Sequence, residues 1–597
     1  MSESMGTHKR SLYCGELRPE HIGREMVLCG FVQRQRVLSN LIFIVLRDRT
    51  GISQLAFDDR TPKHLFEKAG SIRSEYVISA KGVVRQRESV NPDIPTGQVE
   101  LYVSELKILS QAETPPFELR DDLNIKEELR LKHRYLDLRR PSVQQTLVTR
   151  HRIAKTARDY YDENGFVEIE TPLLIKSTPE GARDYLVPSR VHPGEFYSLP
   201  QSPQLYKQLL MASGFDRYLQ IAKCLRDEDL RADRQPEFTQ IDTEMSFVDE
   251  EDVMAMAEGL IQRLYKEILG QDVSLPLRRI PYDEAMARFG SDKPDTRFGL
   301  ELTDLSSVVA RTEFKVFAGA VQNGGSVRAI NAKGLSTALT RKEIDKLVDF
   351  VKVYGAKGLA YTRLTAEAES SSYEKFLSEE EKAGIRQAVG AEAGDVILIV
   401  GDGDNDIVYA ALGALRLEIA RRCGLIDESR HDILWITDFP LFEYDRDNDR
   451  FVARHHPFTH PKDSDIDLME SDPSACKAKA YDMVINGYEA GGGSIRINDP
   501  ALQRRMFKAI GFTEEEAQAQ FGFLLEAFRY GVPPHGGIAF GLDRLVMVLT
   551  GTDNIKDVIA FPKLQNASDP MSECPSPVAQ RQLEELHIAI VTDDSSK

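Results

Sequence analysis

No apolar run in the 597-residue chain approaches the roughly 20 residues that a membrane helix needs. The N-terminus, MSESMGTHKR, has no apolar core of a secretory signal, so the expected compartment is the cytoplasm. Cysteine is scarce and scattered: Cys14, Cys29, Cys224, Cys423, Cys476 and Cys574, with no C-x-x-C pair. That spacing argues against a disulfide framework or a zinc site and for free thiols. An excess of positive charge is also missing. With 76 Lys and Arg against 94 Asp and Glu the net charge is −18, which disfavours indiscriminate nucleic-acid binding but leaves room for a local basic face. GDGDNDIV (401–408) lacks the spacing and terminal glutamate of an EF-hand and reads as a turn.

The length predicts three or four domains, and the expected fold class is α+β. Residues 1–112 show four or five alternating strands and one helix, KHLFEKAGSI, the pattern of an OB-fold barrel. On such a barrel Phe43 suits base stacking, Gln54 and Glu100 suit reading base edges, and Arg34 and Arg36 suit phosphates. Residues 113–141 form a proline-bearing hinge. Its segment KEELRLKHRYLDLRR, continued by RHRIAKTAR, reads as a basic ridge beside a polyanion.

The most informative stretch is CLRDEDLRADRQPEFTQIDTEMSF (224–247), a strand, a charged loop and a second strand. Alternation puts Phe238, Gln240, Asp242, Glu244 and Ser246 on one face. Arg226 and Glu228 stand at the lip and Arg231 and Arg234 on the loop, a set suited to a phosphate ester. Upstream, residues 142–164 predict a long helix, and FVEIETPLLI a strand interrupted by Pro172. Ser202, Gln204 and Lys207 sit at the start of a helix. Downstream, 290–422 is an inserted α/β stretch with FKVFAGA, SVRAIN, LAYTRL and DVILIVG as strands. DILWITDFPLFEYDRDNDRFVARHHPFTHP gives a buried strand, a hairpin and His455-His456, which read as neutral hydrogen-bonding imidazoles. YDMVINGYE alternates, which puts Asp482 and Glu489 on opposite faces of a regular strand unless a bulge or bend intervenes. Gly491–Gly493 would let a ligand approach the backbone, and Arg496 offers a planar fork for a carboxylate. GIAFGLDRL makes a tight strand-to-helix junction at Gly541, with Asp543 and Arg544 opening the helix. The tail from 564 is polar, with a strand-like LHIAIV.

Arg226-Asp227-Glu228 with Phe238 resembles motif 2 of class II aminoacyl-tRNA synthetases, 142–172 resembles motif 1, and GIAFGLDRL resembles motif 3. The wording LRDEDLRADRQPEFTQID is similar to that of the bacterial aspartyl branch of the aspartyl/asparaginyl/lysyl subgroup. The resemblance implies a catalytic domain on an antiparallel sheet in two parts, 142–289 and 423–563, interrupted by an insertion domain (290–422) and followed by an extension (564–597). It implies activation of L-aspartate with ATP, then transfer to the 3′ end of tRNA(Asp), in a homodimer. It carries over Arg226 and Arg544 as catalytic, and Glu180, Ser202, Gln204, Lys207, Arg226, Asp242, His455 and Arg496 as the aspartate site. ATP falls to Arg226, Glu228, Gln235, Phe238, Glu489, Gly541 and Arg544, magnesium to Glu489 and Asp482, and the anticodon to Arg36, Phe43, Gln54 and Glu100.

Rival readings are asparagine or lysine specificity, an RNA-binding protein that keeps only the fold, and an amidating enzyme on a similar core. The insertion and the Lys207/Arg496 pair favour aspartate. The first hairpin, FVQRQRVLSN, departs from the common wording, a tryptophan with an arginine run ending in aspartate. This leaves open whether tRNA(Asn) is charged as well, although Leu38 is compatible with the strict type.

Overall fold

The computed structural model describes residues 2–178, 183–228, 230 and 233–591. The chain divides into two compact units, 1–145 with 569–574, and 146–568 with 575–597.

The first unit is built on a closed five-stranded barrel of Glu25–Leu38, Leu41–Asp48, Gly51–Phe57, Val99–Ser110 and Val77–Gln86, with the helix Lys63–Ser71. Alternation drives it: Leu28, Val32, Ile42, Ile44, Leu46, Leu55 and Leu101 point inward and are buried. The hinge corrects one expectation. Arg130, Arg134 and Arg140 do not form an open basic ridge; all three donate to the buried Asp137. Arg139 pairs with Glu75.

The second unit carries an eight-stranded sheet among the described residues. At its centre lie Ala480–Ile485, Tyr488–Ile495, His535–Gly541, Glu237–Ser246 and Arg217–Leu225, all antiparallel. The helix Pro141–Glu163 brings Ile153, Ala157 and Tyr161 to one core, and Glu250–Leu264 brings Val253, Ala257 and Leu260 to the same one. Near Pro172 the expected strand shrinks to Val167–Glu168, since proline lacks the ladder N–H.

Residues 302–402 form a separate five-stranded antiparallel sheet. Ile397 and Ile399 of its strand Val396–Asp402 enter one core, and Leu398 and Val400 another, so both faces are covered. FKVFAGA is not a strand but the start of a helix, Lys315–Gln322, that buries Phe317 and Ala320, three residues apart. GDGDNDIV is a strand end, a turn and a helix start capped by the Asp404 carboxylate. In the tail a short helix, Gln580–Glu585, precedes LHIAIV; the latter forms no strand in the described residues, and Ile590 and Val591 are exposed. No helix among the described residues is long and apolar enough to cross a membrane.

Candidate active site

Two cavities meet on the central sheet. One, of about 230 Å³, is lined by Glu228, Arg234, Phe238, Gly541 and Arg544. The other, of about 360 Å³, is lined by Ser202, Gln204, Lys207, Asp242, His455, His456 and Arg496. Arg226, Gln240, Glu489 and Ala539 line both, so Arg226 and Glu489 stand at the junction.

On the polar face of Glu237–Ser246, Asp242 and Glu244 are buried, 1% and 0% exposed, while Phe238, Gln240 and Ser246 are partly exposed. The two buried carboxylates are tolerated because cations meet them. Lys207 Nζ lies 2.6 Å from Asp242 and 3.2 Å from Glu244. Arg496 grips Glu244 bidentately, Nε at 2.9 Å and Nη2 at 3.1 Å. Its Nη1 donates to Ser494 and, over 2.7 Å, to His456 Nε2. Arginine can only donate, so His456 Nε2 accepts here, and the Phe458 N–H points at Nδ1 over 3.2 Å. Burial and the adjacent Arg496 hold His456 neutral. Burial and Arg454 bring His455 down to about 4. Burial alone would raise Glu244, but Arg496 and Lys207 outweigh it and bring it to about 2. For Asp242 burial wins over Lys207, and its carboxyl lies above the usual range.

Sequence reasoning passed over Glu244 as a site residue, and with it the charge balance: Lys207 and Arg496 face two carboxylates, Asp242 and Glu244. Four of the five N–H groups of Arg496 are therefore already engaged, which corrects its reading as an open clamp. Four buried side-chain atoms around the second cavity nevertheless have no hydrogen-bond partner among the described residues: Gln204 Nε2, Arg226 Nε, Asp242 Oδ2 and His455 Nδ1. Such atoms are costly unless something else satisfies them, so they mark where a polar ligand fits.

Asp482 and Glu489 do come together. YDMVINGYE is two strands joined by an Asn486-Gly487 turn with φ of 52° and 84°, and the register shifts between Met483 and Val484. A Cβ on Gly492 would lie 2.6 Å from Asp482 Oδ1 and 3.8 Å from Glu489 Oε1, so this glycine makes room for both carboxylates. Burial first, and Glu489 second, push Asp482 well above its usual range. Gly491 and Gly493 line the two cavities and are needed for packing as well: a Cβ there would strike Phe540 and the Gly537 carbonyl. Gly541 has an ordinary φ of −68°, and its Cβ position meets only Arg544 at 3.7 Å, which leaves the cavity above it open.

In the first cavity the Arg226 guanidinium lies 5.1 Å from the Phe238 ring centre. Arg544 donates to the Glu489 carbonyl and to Asp233, and Arg234 pairs with Glu228. The Gln235 amide is engaged twice by the Lys563 backbone, so it ties the loop down. Asp543, also passed over, holds Arg150 with one oxygen and the Thr239 N–H with the other, at 2.5 and 2.8 Å. It fixes Arg544 and Phe238 relative to each other. Glu180 and Arg231 lie outside the described residues.

On the barrel, Arg36 and Phe43 are cross-strand partners. Gln54 donates to Glu100 at 2.7 Å, Arg85 donates to the other Glu100 oxygen at 2.8 Å, and Arg87 donates to the Gln54 carbonyl at 2.9 Å.

The family profile for tRNA synthetases class II (D, K and N) matches residues 126–565. The chain belongs to this family. The profile of the OB-fold nucleic acid binding domain matches residues 26–109. The chain is 59% identical over 596 residues to the aspartate--tRNA ligase of Ruminiclostridium cellulolyticum, covering 99% of this chain and all of that one. It is 57% identical over 592 residues to the aspartate--tRNA(Asp/Asn) ligase of Caldanaerobacter subterraneus, with the same coverage. The asparaginyl-tRNA synthetase of Pyrococcus horikoshii, solved with asparaginyl-adenylate, shares the fold at a TM-score of 0.57 and 20% identity, over 93% of this chain and 98% of that one.

Proposed function

We propose that this class II synthetase is an aspartate--tRNA ligase, which joins L-aspartate to ATP as the adenylate and then passes it to the 3′-terminal adenosine of tRNA(Asp). The observation that carries the reading is the cluster of unpartnered polar atoms around Lys207 and Arg496, beside a second cavity that shares Arg226.

Asp242 Oδ2 and the Gln204 side chain suit the substrate ammonium and carboxyl ends. The side-chain carboxylate takes the N–H groups that Lys207 and Arg496 still have to give. Adenine stacks on Phe238, over the open ground at Gly541, and Arg544 holds the triphosphate. Arg226, at the junction, brings the attacking carboxylate and the α-phosphorus together and stabilises the charge that grows on the phosphoryl oxygens. Asp482 and Glu489 give two converging oxygen donors, a set that fits magnesium shared with substrate phosphates. Bound there, magnesium supplies charge neutralisation for the departing pyrophosphate. The barrel takes the anticodon, Phe43 by stacking and Gln54 and Glu100 by base edges. Val167, Leu173 and Leu174, exposed beside the first motif, support a second copy of the chain as partner.

Charging with labelled aspartate on two transcripts tests the reading. Aspartate on tRNA(Asp) alone marks the strict enzyme, and comparable charging of tRNA(Asn) marks the relaxed one. Charging of neither refutes the proposal.

A further inference from the structure

One basic recess of the barrel unit plays no part in the functions above. It has a volume of about 240 Å³ and is lined by Arg10, Tyr13, Phe31, Arg47, Arg49 and Arg139, with Asp48 as its carboxylate. The charges do not cancel. Arg47 and Arg139 share one carboxylate, Glu75, at 3.0 and 2.9 Å. Asp48 is spent locally: its oxygens accept from the Cys14 N–H at 2.7 Å and from Thr50 at 2.9 and 2.7 Å. Neither Arg10 nor Arg49 has a carboxylate partner among the described residues.

These two arginines are held all the same. Arg10 donates to the Cys29 carbonyl at 3.0 Å. Its guanidinium lies 4.6 Å from the Tyr13 ring centre and that of Arg49 lies 5.0 Å from it. Arg139 sits 4.2 Å from the centre of the Phe31 ring, also in the lining. Both arginines also donate to the Tyr13 hydroxyl, but a guanidinium carries five N–H groups, so donors remain on each, and an arginine pair on aromatic supports matches phosphate oxygens. In a chain of net charge −18, such a recess is where a polyanion can be met locally.

We propose that this recess binds a backbone phosphodiester of the RNA, a contact separate from the anticodon face. The inference rests on the tRNA reading above. Along the strand Glu25–Leu38, Phe31 is five residues from Arg36, the partner of Phe43, or about 16 Å at strand spacing. A phosphate at the recess and a base on Phe43 therefore belong to different nucleotides, and the recess contributes affinity without sequence preference.

The test is filter binding of the full-length protein to a tRNA(Asp) transcript and to one with an altered anticodon, over a range of salt. Arg10→Ala/Arg49→Ala should weaken both RNAs by the same factor, about tenfold for one charge-assisted contact. It should also make the slope of log affinity against log salt shallower by about 1. Pyrophosphate exchange without RNA should stay at the wild-type rate, which shows the fold intact. Arg10→Lys/Arg49→Lys keeps the charge and should restore the slope. Unchanged affinity and slope would overturn the proposal, as would a loss confined to the cognate transcript. Loss of inorganic-phosphate binding with tRNA affinity intact would assign the recess to a free anion and overturn it too. A wild-type protein that binds no tRNA would instead refute the ligase reading itself.

Discussion

Glu244→Gln is the sharpest test of the charge balance. The carboxylate is 0% exposed, accepts two hydrogen bonds from Arg496 and lies 3.2 Å from Lys207. Its pKa falls from 4.5 to about 2, because Arg496 and Lys207 outweigh the burial that would raise it. A depressed pKa stabilises the fold above the unfolded value and loses that contribution as pH falls through the folded one. That fall corresponds to about 3 kcal/mol, which matches the 3–5 kcal/mol expected, to order of magnitude, for breaking a buried pair. Glutamine keeps the shape, but its amide N–H₂ would face donors.

The assay is built in. Trp435 is the one tryptophan in the chain, is 0% exposed, and shares a core with Ile241 and Met245 on either side of Glu244. Its fluorescence in urea follows this unit. At pH 7 the variant should lose about 3 kcal/mol against wild type. At pH 3 the gap should fall to roughly half, since wild type is then losing the same contribution. A gap under about 1 kcal/mol at pH 7, or one that does not shrink in acid, would refute the assignment of an ionised Glu244 between two cations.

Asp543→Asn should cut kcat/KM for ATP by about tenfold or more, the size of one charged hydrogen bond, with the KM for aspartate little changed; steady-state pyrophosphate exchange reads both. Gly492→Ala puts a Cβ 2.6 Å from Asp482 Oδ1 and should raise the magnesium needed for half-maximal exchange several-fold. Phe43→Ala should raise the KM for tRNA about tenfold through lost stacking and leave exchange intact. Arg496→Leu should lower aspartate-dependent exchange by about 100-fold or more, as expected when a charge-assisted donor is lost and Glu244 keeps only Lys207 as its cation, while ATP binding, followed by calorimetry, persists.

The elements that chain chemistry dictates locally were legible. Alternation marked the barrel strands, and the position of Asp242 on a polar strand face followed from period 2 alone. The misreadings have physical causes. FKVFAGA is rich in β-formers, but Phe317 and Ala320 fit one helical face, and burial of that face decided the outcome. The basic hinge looked open because Asp137, one acid among many, gave no sign that it would gather three arginines. The hairpin at Asn486-Gly487 carried its own signal, the Asn-Gly pair, which alternation on both sides obscured. Glu244 was visible as a residue but not as a partner of Arg496, 252 positions away.

That long-range pair changes how the proposed site would select aspartate. With only Lys207 and Arg496 in view, aspartate would be chosen because two buried cations demand an anion. With Asp242 and Glu244 included, the cluster is balanced before substrate arrives. Net charge then discriminates weakly, and the direction of the remaining donors does the work. The N–H groups that Lys207 and Arg496 have left can be met by two carboxylate oxygens but not by the N–H₂ of an asparagine amide, which leaves two donors opposed. A site built to hydrogen-bond a substrate group rejects an analogue that cannot reciprocate by about 10⁴ or more. Under the proposed aspartate reading, Glu244 therefore orients Arg496 toward the substrate and removes the excess charge that would otherwise hold any anion.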